Sequence, residues 1–106
     1  MAVRLVSETE RNVFEYEGSK FYYRRISATQ NAVIHKKHVK RGLLDSNAFG
    51  IEVVQWCLID WEGVEGEGGA AIPFTKELVL SLPDDLVLEL SVALRESSPV
   101  ETQLGN

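Results

Sequence analysis

Apolar and polar residues alternate in two short runs near the start of the chain, which is the pattern of a β-hairpin. The runs Val13–Glu17 and Lys20–Ile26 flank Gly18-Ser19, a pair that suits a two-residue turn of type I′ or II′. This turn places Tyr16 opposite Phe21, and residues opposite one another share a face of the hairpin. The pattern therefore predicts one aromatic face, which other elements must cover because a bare hairpin is unstable in water. That face comprises Phe14, Tyr16, Phe21 and Tyr23.

The segment after the hairpin has the composition of a basic helix. Ala28–Arg41 carries its Lys, Arg and His residues in the last turns, where cations complement the helix dipole. Ser27 or Thr29 is placed to cap its start, and Gly42 is placed to end it. The connection Leu43-Leu44-Asp45 follows.

The most apolar part of the chain comes next, and its periodicity favours a helix over Asn47–Asp60 that Ser46 caps. This helix has apolar stripes on two faces, as a helix buried between layers does. One stripe comprises Phe49, Val53, Trp56 and Cys57, and the other comprises Ile51, Val54, Leu58 and Trp61. A β-strand over Val53–Ile59 is the alternative, because short apolar runs occur in both structures, but the length and the cap favour a helix.

A glycine-rich loop and two further helices complete the chain. The loop occupies residues 63–71, and the acidic side chains predicted to be exposed in and beside it are Glu62, Glu65 and Glu67. Thr75 is positioned to cap a short helix over Lys76–Leu82, which Pro83 breaks. The last helix is predicted over Asp84–Glu96 from an amphipathic stripe that comprises Leu86, Leu90, Ala93 and Leu94.

These elements predict an α+β fold in a single domain of 106 residues. A small antiparallel sheet of two or three strands, with Val3–Val6 as the candidate third strand, is followed by about four helices. Residues 1–27 form the predicted sheet region and residues 28–97 the predicted helical region. Residues 98–106, which contain Pro99, are predicted to be a frayed tail.

Charge is distributed unevenly along the chain, whose net charge is −5. Residues 1–41 hold nine of the eleven Lys and Arg residues and four of the sixteen Asp and Glu residues, a net of +5, so the remainder carries −10. Such opposite fields permit head-to-tail self-association. In that arrangement Lys36, Lys37, Lys40 and Arg41 of one copy face Glu62, Glu65 and Glu67 of another. The alternative is that the two halves neutralise each other within one fold.

The cysteine content and the apolar runs indicate the compartment. The single cysteine, Cys57, lies in an apolar run, which indicates a buried small hydrophobe and excludes an internal disulfide. The first residues lack the apolar segment of a signal peptide, and no apolar run approaches the ~18 residues that span a bilayer. A cytosolic protein without a membrane anchor is therefore expected.

Catalytic and metal-binding patterns are absent from the sequence. It contains no P-loop, Rossmann fingerprint or nucleophile elbow, so we expect neither an enzyme nor a cofactor. His35 and His38 lie one helical turn apart, but they lack a third ligand and stand among cations that repel a metal ion. The acidic loop lacks the ligand spacing of an EF-hand.

The basic run from His35 to Arg41 resembles a nucleic-acid-binding patch. The sequence pI of about 5.0 and the lack of an accompanying binding motif argue against that function. A small nucleic-acid-binding regulator is nevertheless kept as an alternative hypothesis, and it would use Lys36, Lys37, Lys40 and Arg41.

An ordered set of motifs between Ile51 and Leu94 resembles the tail assembly chaperones of long-tailed bacteriophages and prophages. The set covers less than half of the chain. Its members in order are the apolar helix Val53–Ile59, Trp61-Glu62-Gly63-Val64, the acidic segment Glu65–Gly69, Ile72-Pro73-Phe74-Thr75, Leu82-Pro83 and the amphipathic helix Leu86–Leu94.

The resemblance implies a non-enzymatic protein that binds the tape-measure protein, prevents its apolar helices from aggregating and assists assembly of the tail-tube protein. Such proteins act in the host bacterial cytoplasm and are absent from the mature virion. The function needs oligomers and exposed apolar anchors, for which we expect Trp61, Val64, Ile72 and Phe74. The alternative is that these four residues pack against the last helix. A structural tail or connector protein, which would be present in virions, is a third hypothesis.

Overall fold

Strands are interspersed with helices along the chain in the computed structural model, which describes residues 2–7 and 9–96. Over these residues the chain has a three-stranded antiparallel sheet, a two-stranded hairpin, three α-helices and one 3₁₀ helix. In chain order they are β1 (Asn12–Tyr16), β2 (Ser19–Tyr23), α1 (Ala28–Lys37), β3 (Val39–Lys40), β4 (Leu43–Leu44), α2 (Ser46–Cys57), β5 (Leu58–Glu62), the 3₁₀ helix (Glu77–Ser81) and α3 (Asp84–Glu96). The predicted α+β class is confirmed, with three α-helices in place of about four. The predicted tail at 98–106 lies outside the described residues.

The hairpin of β1 and β2 turns at Glu17-Gly18, not at the predicted Gly18-Ser19. Both turn residues have positive φ, 48° and 85°, as a type I′ turn requires. Phe14 consequently pairs with Phe21, and the predicted register is wrong. Moving the turn by one residue moves every partner by two, and a shift of two keeps each side chain on its face. The predicted aromatic face is therefore confirmed, with Phe21 and Tyr23 buried.

The third strand of the sheet is β5, and the predicted strand at Val3–Val6 is wrong. The strand order is β1-β2-β5, with antiparallel pairing throughout and a bulge in the pairing of β2 with β5. The predicted helix Asn47–Asp60 ends three residues early, at Cys57, and the chain continues directly as strand. The predicted division into a sheet region 1–27 and a helical region 28–97 is corrected accordingly.

The direct passage from α2 into β5 leaves four successive carbonyl groups without helical partners. The backbone N–H of Arg24, just beyond β2, donates to the oxygen of Cys57 at 2.9 Å. The ammonium of Lys76 donates to the other three carbonyl oxygens, at 2.8, 3.0 and 2.6 Å. These belong to Gln55, Trp56 and Leu58. A cation at this end of α2 also complements the helix dipole.

Helix α1 is shorter than predicted because its last residues form a second hairpin. Ser27 caps the helix by accepting the N–H of Gln30 at 3.1 Å, as predicted. The helix ends at Lys37 and not at Arg41. The predicted end residue Gly42 is instead the second turn residue between β3 and β4, with φ of 77°. The predicted connection Leu43-Leu44 is β4, and Asp45 in place of Ser46 caps α2.

Helix α3 has the predicted bounds, and its stripe enters the core: Leu86, Leu90 and Leu94 are buried. The short helix predicted before it is a 3₁₀ helix whose first turn Thr75 caps through the N–H of Leu78 at 3.2 Å. Helix α2 lies at the centre and packs against α1, α3 and the 3₁₀ helix. Together these elements cover the aromatic face of the sheet. The buried apolar side chains of the described chain are Phe21, Tyr23, Ile34, Phe49, Val53, Val54, Cys57, Leu58, Trp61, Val79, Leu86, Leu90 and Leu94.

A nearly buried ion pair fastens the N-terminal segment to the end of the sheet. The Arg25 guanidinium meets the Glu10 carboxylate through several hydrogen bonds, of which the shortest is 2.7 Å. Arg25 also donates to the backbone oxygens of Arg4 and Leu5. The hydrogen bonds from Arg25 hold the pKa of Glu10 below its usual range, although burial opposes this shift.

We expect Glu10→Gln to lower the free energy of unfolding by about 3 kcal/mol at neutral pH, because a guanidinium with little solvent access loses its counter-ion. A lowered carboxyl pKa contributes stability above the unfolded-state pKa, and this contribution is lost as pH falls through the folded-state pKa. Urea denaturation should therefore show a smaller acid-dependent loss for the variant than for the parent, because the variant keeps the contribution of Glu52 but not that of Glu10. The control is Glu15→Gln, at a largely exposed position. Equal pH profiles for parent and Glu10→Gln would contradict the assignment.

We expect Lys76→Met to lower the free energy of unfolding by about 1 to 2 kcal/mol, because three carbonyl groups lose a charged donor while the aliphatic stem is kept. The value is modest since the Lys76 side chain is partly exposed. Chemical denaturation measures it against Lys36→Met, an exposed lysine on α1. Similar small effects for both variants would show that solvent replaces the Lys76 hydrogen bonds.

Candidate partner-binding groove

Helix α3 carries apolar side chains on its solvent side as well as on its core side. Leu88 and Val92 are 64% and 47% exposed, and they lie four residues apart on one face of the helix. Leu86 and Leu90, on the opposite side, are buried. The core thus uses only one of the two apolar faces of this helix.

The exposed face of α3 forms one wall of an open groove, and β1 forms the other. The groove has a volume of about 490 Å³ and is lined by Phe14, Leu88, Glu89, Val92 and Ala93. The ring of Phe14 stacks on that of Tyr16 at a centroid distance of 6.4 Å, which supports the β1 wall. An open groove with apolar walls is suited to the apolar face of a helix or hairpin from another protein.

Acidic groups lie at one end of the groove, near Tyr16. The Tyr16 hydroxyl donates to the Asp85 carboxylate at 3.4 Å, and Glu89 lines the groove itself. Burial and the nearby carboxylates of Asp85, Glu17 and Glu89 raise the pKa of Tyr16 to about 12. The groove therefore combines apolar walls with a negative rim. This combination favours a ligand with leucine-like side chains flanked by Lys or Arg.

The four predicted anchors are brought together around Trp61, on the other side of β2 from β1. Trp61 is only 6% exposed, and its indole N–H donates to the Ile72 oxygen at 2.7 Å. Its ring contacts those of Phe21 and Phe74 edge to face, at 6.2 and 5.1 Å. Val64, Ile72 and Phe74 are half-buried against the core. These contacts hold the loop to the sheet, and partner binding by the four residues stays a prediction.

Residues 63–71 form a small hydrogen-bonded hairpin. Ile72 N–H donates to the Val64 oxygen at 2.9 Å, and Gly66 N–H donates to the Ala70 oxygen at the same distance. Gly66 leaves room for Ile72, because a Cβ at this glycine would lie 2.9 Å from the Ile72 side chain. The predicted exposure of the three acidic side chains is confirmed for Glu62, Glu65 and Glu67.

One part of the basic run forms ion pairs with Glu52 of the same chain, and another part lies in the exposed β3–β4 hairpin. Lys37 and His38 both bond to the Glu52 carboxylate, at 2.9 and 2.8 Å, and they hold the pKa of Glu52 below its usual range. His35 lies edge-on to the Phe49 ring at 5.4 Å. Lys36, Lys40 and Arg41 are exposed, and Lys37 is exposed as well although it pairs with Glu52. Within the described part of the chain, no group of three His, Cys, Asp or Glu side chains is arranged to hold a metal ion.

Cys57 lies fully buried at the end of α2, as predicted. Burial raises the pKa of its thiol to about 12, so the thiolate needed for nucleophilic chemistry does not form near neutral pH. None of the helices in the described residues has the length and apolar character needed to cross a membrane.

No protein-family model, curated protein or solved structure matches this chain. Sequence reasoning missed the groove because it used only one stripe of the last helix. The signal was present: Leu88 and Val92 form a second apolar pair at i, i+4 outside that stripe.

We expect Leu88→Gln and Val92→Gln each to change the free energy of unfolding by no more than about 0.5 kcal/mol, because both side chains are largely solvated. The matched control is Leu90→Ala in the buried stripe, which should cost about 3 kcal/mol through lost burial and a cavity. Urea denaturation of the three variants measures the difference. A large loss for Leu88→Gln would show that the groove belongs to the core.

Proposed function

We propose that this chain is a non-enzymatic tail assembly chaperone of a long-tailed phage or prophage, which binds the tape-measure protein and assists tail-tube assembly. The observation that carries the proposal is the open apolar groove of Phe14, Leu88 and Val92 with its acidic rim. A chaperone of this kind must bind apolar helix faces without reacting with them. A preformed groove on a folded core meets that need.

The motif resemblance over residues 51–94 supports the same function from a separate direction. Two of its motifs contact each other next to the acidic hairpin. The indole N–H of Trp61 donates to the Ile72 oxygen, and the Trp61 ring contacts that of Phe74 in the Ile-Pro-Phe segment. In the proposed function this unit fixes the loop, and α3 presents the groove. The protein acts in the host bacterial cytoplasm, where it forms homo-oligomers while no partner is bound, and it does not remain in the mature virion.

Co-expression with the long helical tape-measure protein tests this function. With the parent chain, the tape-measure protein should be recovered in a soluble complex. Leu88→Gln combined with Val92→Gln should leave it insoluble, because the groove loses its apolar wall. The matched control is Leu80→Gln, which alters a 60% exposed leucine outside the groove and should keep the complex. An insoluble tape-measure protein beside the parent chain would refute the proposed function.

Two further measurements test the alternative functions. Salt-dependent retention of DNA or RNA in a low-salt gel-shift titration would favour the nucleic-acid-binding regulator. The internal pairing of Lys37 with Glu52 leaves fewer cations for that role. Recovery of the chain from purified virions would favour a structural tail or connector protein.

A further inference from the structure

The β3–β4 hairpin presents two leucines to solvent beside two cations. Leu43 is 75% exposed and Leu44 is 39% exposed. Lys40 pairs with Leu43 across the hairpin, and Arg41 occupies its turn. The two leucines lie on opposite faces of the hairpin, because neighbouring residues of a strand alternate, and a leucine as exposed as Leu43 contributes little burial to its own core.

The hairpin is held firmly at its base. The N–H of Asp45 donates to the His38 oxygen at 2.8 Å and closes the hairpin. The imidazole of His38 in turn bonds to Glu52 on α2 at 2.8 Å. Arg41 and Gly42 both have positive φ, 54° and 77°, which suits the tight type I′ turn. Leu43, which shares a face of the hairpin with its cross-strand partner Lys40, is therefore presented on a preorganised hairpin, and preorganisation lowers the entropy lost on binding.

We infer that this hairpin docks in the groove of a second copy, with Leu43 on the apolar walls and Lys40 and Arg41 on the acidic rim. The inference rests on the proposed role of the groove as a protein-binding site. Hairpin and groove are complementary both in apolar character and in charge. They are different surfaces of the chain, so the contact is head-to-tail and can repeat from copy to copy.

The groove is a better partner for the hairpin than the acidic loop is. Glu65 and Glu67 are exposed, but Ile72 beside them packs against Gly66 and accepts the indole hydrogen bond of Trp61. The pocket beside the loop, which Trp61, Val64 and Glu65 help to line, has a volume of about 220 Å³, less than half that of the groove. Exposed ion pairs alone contribute little to binding, whereas the groove adds leucine burial to the charge contact.

Docking of a second copy occupies the same walls that the tape-measure protein needs. Self-association and partner binding therefore exclude one another in the groove, and each weakens the other by mass action. In this arrangement the chain covers its apolar groove with its own copies until a partner displaces them.

Charge reversal on each surface tests the contact with the full chain. Sedimentation velocity over a concentration series should show self-association of the parent. Lys40→Glu and Glu89→Lys should each raise the dissociation constant about tenfold or more, because each places like charges together. An equimolar mixture of the two variants should regain association, since every contact in the mixture can pair opposite charges.

The matched control is Glu65→Lys, which makes the same charge change on the acidic loop and should leave association unchanged. The inference is overturned if the parent stays monomeric at every concentration, or if the mixture fails to reassociate. It is also overturned if Glu65→Lys abolishes association while Glu89→Lys does not, because the loop is then the acidic partner. A monomeric parent that sediments with anionic phospholipid vesicles through Leu43 would likewise overturn it.

Co-expression separates failure of this inference from failure of the proposed function. Lys40→Glu has an altered hairpin but an intact groove, so it should hold the tape-measure protein in solution at least as well as the parent. If Lys40→Glu leaves the tape-measure protein insoluble, as Leu88→Gln combined with Val92→Gln should, the hairpin is needed for partner binding. The inferred competition between a second copy and the tape-measure protein is then wrong. If the parent self-associates through the groove but never solubilises the tape-measure protein, only the proposed function fails.

Discussion

The direct passage from helix α2 into strand β5 is the constraint on which the rest of this fold depends. Cys57 and Leu58 are both fully buried, and no loop residue separates the two elements. Backbone carbonyls in such a place need donors, which come from Arg24 and from the ammonium of Lys76. Because α2 contacts the other helices and β5 completes the sheet, Lys76 links the helical layer to the sheet at one point.

Sequence patterns predicted the elements better than their boundaries, and the reasons are physical. The aromatic face was predicted correctly despite a misplaced turn, because the displacement of two residues preserves side-chain parity. The last helix was predicted to the residue, since Pro83 marks its start and the stripe of Leu86, Leu90 and Leu94 runs along it. Strand β5 was missed because its apolar residues continue those of α2, and only the pairing with β2 decides between helix and strand. Gly42 was misassigned because a positive φ serves a helix end and a hairpin turn equally well.

The groove lies beyond what sequence can predict, because its two walls are far apart in the chain. Phe14 faces Leu88 and Val92 only once β1 and α3 have packed together. The sequence did indicate a basic half and an acidic half, but not which charged residues would form ion pairs within the fold. Glu52 engages Lys37 and His38, whereas Lys40 and Arg41 are left beside the exposed leucines. The fold thus converts a diffuse charge asymmetry into two localised surfaces with opposite charge and shared apolar character.

The contact between the first hairpin turn and Gly63 limits how this chain can change. A Cβ at Gly63 would lie 3.1 Å from the Gly18 oxygen, and its φ of 75° is itself unfavourable for other residues. The Ser19 hydroxyl, 44 positions away, donates to the Gly63 oxygen at 2.8 Å. The tip of the hairpin and the entrance of the acidic loop are therefore held together by this contact. A side chain at position 63 would therefore move the hairpin turn as well as the entrance of the acidic loop.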